Sequence, residues 1–309
     1  MKLARILFSS AALLAGIATA TTAQAVAVVT LPGAGLTADG IPTNQTYDQG
    51  LVYSAGLLSQ LQSGGYIPSS YGNYLFSTGT GNIPVLVYTG AGGAANPSPF
   101  EQPQDACGGG NCTSFNGTWG LNSPNTVGAM RAALGGAQMM LYFDHNENEG
   151  KNAVPNLLAS GRVAVYNGTT QVVSYAFDTN ANNSYDPLSY VTSCSSFTIG
   201  SGTGANNPPC DFSGVASTSG TTYNVTANAG SGKPDYFVVM PQFDLYSLAY
   251  DDSYRIVIEM HLRNLDPGFD ELGVAGYQFA SRNTVPEPGS LALFGLALTG
   301  LTFWRRRKA

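Results

Sequence analysis

A chain of 309 residues that is 43% hydrophobic and only 10% charged, with 38 Gly, 17 Pro and 17 Tyr, can build a sizeable core, which excludes simple disorder. Its formal net charge of -6 is unevenly spread. Lys2, Arg5, Arg305, Arg306, Arg307 and Lys308 lie at the two ends, whereas residues 26–286 hold seven basic and 18 acidic side chains, a net charge of -11. An acidic body repels phosphate backbones, so nucleic acid is excluded as a partner.

Lys2 and Arg5 precede an apolar run from Ile6 to Ile17, and small residues close in Ala23, Gln24 and Ala25. That layout predicts a secretory signal peptide over 1–25, removed by signal peptidase, with Val26 as the first mature residue. Residues 26–284 are then an extracellular domain. Within it, Val52 to Leu61 is the best helix candidate, and Val85 to Tyr88 reads as a buried strand from its β-branched and aromatic content.

Gly90 to Asn125 is rich in Gly, Pro and Asn and poor in strand signals, which predicts a long loop. It contains Cys107 and Cys112, and a second such stretch, Gly200 to Gly220, lies beside Cys194 and Cys210. In an oxidising compartment four cysteines read as two disulfides, and locality favours 107–112 with 194–210 over the two other pairings. Zinc would want closer cysteine spacing or neighbouring histidines. Two glycine motifs, after Tyr88 and at Gly230 to Lys233, are nucleotide-loop decoys, since prolines follow where a helix must begin.

Gln138 to Phe143 reads as a buried strand, and Arg162 to Tyr166 with Gln171 to Phe177 as a hairpin around Asn167-Gly168. Each ends in a Phe-Asp pair followed by an oxygen-rich array: Asp144, Asn146, Asn148 and Asn152 in the first, Asp178, Asn180, Asn182 and Asp186 in the second. Alternating carboxylates and amides suit a hard cation, so calcium is the one cofactor the sequence offers. The arrays resemble the start of an EF-hand or thrombospondin type 3 calcium loop, but neither has Gly at position 6, and position 12 is Pro155 or Ser189. An EF-hand is excluded. The competing reading is a set of Asx turns at strand ends, arising from the same composition.

Tyr236 to Met240 predicts another buried strand. Tyr254 to Arg263 alternates apolar with mostly charged residues, the period of a half-buried strand, with His261 on the charged, solvated face. Asp266-Pro267-Gly268 then predicts a turn, with Leu272 to Ala280 returning as the partner strand. Short strands punctuated by turn residues give an all-β class: an antiparallel sandwich or jelly-roll-like body with long Gly/Pro-rich loops.

The last 25 residues are a separate object. Pro286-Glu287-Pro288 is followed by an uncharged stretch over 290–304, a short transmembrane helix by composition, and then by Arg305, Arg306 and Arg307. This pattern resembles the PEP-CTERM sorting signal of Gram-negative bacteria. The resemblance implies a transient inner-membrane anchor, processing by an exosortase, and release to the surface of an exopolysaccharide-producing cell. The expected function is therefore a non-enzymatic surface or biofilm-matrix protein, with calcium as a stabiliser and exopolysaccharide as a partner. The alternative is a secreted polysaccharide-acting enzyme or a carbohydrate-binding module using surface carboxylates and tyrosines. The two part on whether buried carboxylates face each other across a cleft.

Overall fold

The computed structural model describes residues 27–33, 43–76, 83–89, 114–120, 125–144, 158–180, 182–192, 196–198, 222–224, 233–263 and 270–280. The expected signal peptide, the four cysteines, the sorting motif with its apolar helix, and Asn146, Asn148 and Asn152 of the first array lie outside them, as does His145.

Two sheets account for most of the strands. The larger has seven: β1 (Val28–Leu31), β2 (Asn44–Tyr47), β3 (Gly50–Ser54), β4 (Ile83–Thr89), β6 (Gln138–Asp144), β12 (Tyr236–Val239) and β14 (Asp270–Phe279). Its main order is β1-β14-β6-β12-β3-β2, with β4 also paired to β14. The β1 pairing is parallel and the rest are antiparallel. The smaller sheet runs β5 (Ser114–Trp119), β13 (Arg255–Arg263), β7 (Leu158–Asn167), β8 (Thr170–Phe177), with β9 (Val191–Thr192) on β7. A separate pair joins β10 (Ser196–Thr198) to β11 (Thr222–Asn224). The body is all-β, as the sequence predicts.

The hydrophobic patterns follow from how many faces each sheet buries. One core lies between the sheets, where Leu141, Phe143, Tyr236, Val238, Leu272 and Val274 of the larger meet Val163, Val165, Ile256, Ile258, Met260 and Leu262 of the smaller. A second core covers the opposite face of the larger sheet, where Tyr53, Met140, Tyr142, Phe237 and Tyr277 pack with Leu57, Leu58 and Leu61 of helix α1 (Ala55–Ser63). Strands buried on both faces need continuous apolar runs, which is why β6 and β12 read as they do. The smaller sheet is half-covered, so β13 alternates.

Three expectations change. The predicted helix begins three residues late, because Gly50–Ser54 pairs with β12 and the Ser54 hydroxyl then caps α1 by accepting the Leu57 amide at 3.2 Å. The predicted hairpin of β13 with β14 does not form: β13 pairs with β5 and β7 while β14 crosses to the larger sheet. The predicted long loop contains β5, and a second helix, α2 (Val127–Leu134), follows it, capped by Thr126 and ended by Gly135 in the left-handed region. The Asn167-Gly168 hairpin forms as expected, with Gly168 at φ 60°.

Burial also sets an alkaline limit. Tyr277 is pushed up to about 12 mainly by burial, and Tyr47, Tyr53, Tyr74 and Tyr236 are raised for the same first cause. A tyrosine raised in the fold contributes stability that is whole below its unfolded value of 10.0 and lost as pH climbs through the folded value. We expect tyrosinate absorbance and loss of circular dichroism to rise together between about pH 10 and 12. Ionisation of all 17 tyrosines with the circular dichroism still intact would contradict this burial.

Candidate functional site

The two oxygen-rich arrays leave different sheets, β6 from the larger and β8 from the smaller, and their phenylalanines meet between them. The Phe143 and Phe177 rings are 6.1 Å apart at 71°. The second array folds as Asx turns. Asp178 is fully buried, its Oδ1 accepting the Asn180 amide at 2.8 Å and its Oδ2 the Asp186 amide at 2.7 Å. Asn182 Oδ1 accepts the Ser184 amide, and Asp186 accepts the Leu188 amide and the Ser189 hydroxyl, which hold its carboxyl below the usual range. Beside it, Asp48 accepts the Asn183 amide, yet its carboxyl is raised, chiefly by burial and further by Asp178.

The first array begins in a row of acids that single-strand reading misses. Asp144 is paired in register with Glu271 on β14. On the other side, Asp235 stands just before β12 and donates its amide to the Phe143 carbonyl at 2.7 Å. All three are buried, and strand alternation puts them on the face that carries Tyr142, Phe237 and Tyr277. Each has interaction partners of its own. Among the described residues, no three His, Cys, Asp or Glu side chains are grouped to hold a metal ion. The signal available in sequence was an acid at the border of each apolar run; the pairing that aligns them is tertiary.

His261 is less solvated than its strand pattern predicts. Its side chain is 19% exposed, with Nε2 3.6 Å from Glu259 Oε1, and the Tyr185 ring packs edge-on at 6.0 Å. Arg162 reaches the same Glu259 at 2.7 Å and lies over the Tyr185 ring. The connection from β8 to β9 has folded back over this face, and burial raises the Tyr185 phenol.

An open cavity of about 690 Å³ lies elsewhere, where β14 ends. Its walls come from the C-terminus of α2 (Leu134, Gly135, Gly136), the start of β6 (Ala137, Gln138), the connection after β12 (Pro241, Phe243, Asp244) and Val28 with Tyr277, Gln278 and Phe279. Two side chains hold the connection in place. Gln138 donates to Asp244 Oδ1 at 2.8 Å and accepts the Leu245 amide at 3.0 Å. Arg131 of α2 donates to the carbonyls of Leu245, Ser247 and Tyr250 and to Asp252 at 2.6 Å, a planar fork with every arm engaged. Tyr246 closes the wall by accepting the Gly136 amide at 2.7 Å.

Residues 31–263 match the family model described as a domain of unknown function, DUF8239. The chain belongs to the DUF8239 family. The matched span takes in β2 to β13 and stops before β14. Residues 284–308 match the PEP-CTERM protein-sorting motif, which covers Pro286, Glu287, Pro288 and the arginine cluster and implies an exported protein processed by an exosortase. No curated protein and no solved structure matches the chain. Among the described residues no helix is long and apolar enough to cross a membrane.

Proposed function

We propose that this DUF8239 protein is a non-enzymatic component of the cell surface or extracellular matrix, exported through its leader, held in the inner membrane by residues 290–304 and released by exosortase cleavage. The observation that carries the reading is the sorting motif at 284–308. The acidic, Lys-poor body agrees with it, since net charge keeps an exported protein soluble and apart from nucleic acid.

Two features support a binding role over a catalytic one. Asp244 is the one carboxylate among the described residues lining the cavity, whereas hydrolysis of a glycosidic bond ordinarily uses two across a gap. The buried acids Asp144, Asp235 and Glu271 do sit together, but on a sheet face packed against the second core and outside the cavity lining. Calcium has no part in this reading: the carboxylates of Asp178 and Asp186 and the Asn182 carbonyl accept from backbone amides and a hydroxyl.

Replacing Pro286, Glu287 and Pro288 by alanine in the native host is expected to leave the full-length chain in the inner membrane and abolish its release. Undiminished release of that variant overturns the sorting half of the proposal. Turnover of a polysaccharide by the purified protein, lost on Asp244→Asn, overturns the non-enzymatic half.

A further inference from the structure

We propose that the cavity at the end of β14 is a binding site for a neutral saccharide. Its open side pairs an apolar patch with hydrogen-bond acceptors. Val28 is 47% exposed and Phe279 36% exposed, and the Phe279 ring is braced edge-on by Tyr277 at 5.1 Å. The same cavity is lined by Asp244, whose Oδ1 is already engaged by Gln138 and the Tyr246 amide, and by Gln278, whose amide nitrogen is held by Thr30 Oγ1. That leaves Asp244 Oδ2 and Gln278 Oε1 as the side-chain acceptors of these two residues.

A ligand for this surface must bring an apolar face and donors together. A pyranose does both, with C–H groups on its ring face and hydroxyls around its edge, and aromatic side chains with a few placed polar groups are the usual furniture of such pockets. Charge narrows the class. Among the described residues no Lys, Arg or His lines the cavity, so a phosphate or uronate would meet Asp244 uncompensated within a body of net charge -11. An ammonium ligand would want several aromatic faces, and Phe243 and Tyr277 are buried, leaving Phe279 as the exposed ring. The walls are fixed beforehand by Arg131, Gln138 and Tyr246, which lowers the ordering cost of binding.

The inference rests on the export reading only for where the ligand is met. Binding is therefore measured on the protein released from its host and again on the detergent-extracted full-length chain, so that a failure of sorting leaves the binding result intact. The probes are an array of neutral oligosaccharides, including β-1,4-glucan and α-mannan hexamers, with oligogalacturonate and choline alongside. The expected result is binding of a neutral probe that Phe279→Ala and Asp244→Asn each weaken by about tenfold or more, as loss of a ring contact or a charged acceptor would. Leu188→Ala, at an exposed position outside the cavity lining, serves as the control and leaves binding unchanged. The proposal is overturned if no neutral probe binds, if both cavity variants that retain their circular dichroism bind as wild type, or if oligogalacturonate or choline binds in preference.

Discussion

Gly273→Ala is expected to destabilise the fold by about 3 kcal/mol or more, the upper range for overpacking a filled core. Gly273 lies in the middle of β14, in register with Tyr142 on β6, and a Cβ there would run into the Tyr142 ring and hydroxyl. Tyr142 is fully buried and cannot swing into solvent. The clash is with one side chain, which gives the test its shape. Urea titrations of Gly273→Ala, Tyr142→Leu and the double variant form a cycle, and the alanine should cost less than about 1 kcal/mol once the ring is gone. Equal costs in both backgrounds would mean that the glycine is needed for backbone reasons instead.

The smaller sheet repeats the device. Gly161 on β7 faces Phe177 on β8 in register, and a Cβ there would lie 2.5 Å from Phe177 Cζ and 2.6 Å from the Glu259 carbonyl oxygen. In each sheet an aromatic side chain lies across a cross-strand glycine, which gives large rings room in the packed interior. Which ring faces each glycine is not legible in the sequence, because register is a long-range property.

The same boundary separates what was legible from what was not. Strand type and burial could be read from local pattern, so β6, β7, β8, β12 and β13 were all expected, as was the Asn167-Gly168 turn. The sheet in which a strand sits depends on contacts far along the chain, so β14 was assigned to the wrong neighbour. Helix α2 carried readable signals, with Thr126 as cap, Val127, Met130 and Leu134 on one face and Gly135-Gly136 as stop, but it lay beside a glycine-rich stretch that masked them. The sorting tail was the most legible feature because it is linear. The cavity was the least, since its walls come from β1, α2, β6, β14 and a connection more than 100 residues from α2.

Asp178→Ala should be the second severe variant, at about 4 kcal/mol. Each buried carboxylate-to-amide hydrogen bond contributes roughly 1.5–3 kcal/mol, and the change leaves the Asn180 and Asp186 amides without their acceptor. Asp178→Asn keeps one acceptor oxygen and should lose about half as much. These substitutions also divide the two readings of the array. If the carboxylate works as the centre of an Asx-turn network, the wild-type melting temperature is the same with calcium and with chelator, and the ranking wild type, Asn, Ala is unchanged by either. A chelator that lowers the wild-type value and leaves Asp178→Asn unmoved would transfer the role to a bound cation. The geometry predicts the first outcome: Asp178 is enclosed where β8 turns out of the sheet, and its two oxygens face amides two and eight residues ahead, which closes the array on itself. On that outcome the loop holds Tyr185 against His261 and Arg162 without an ion.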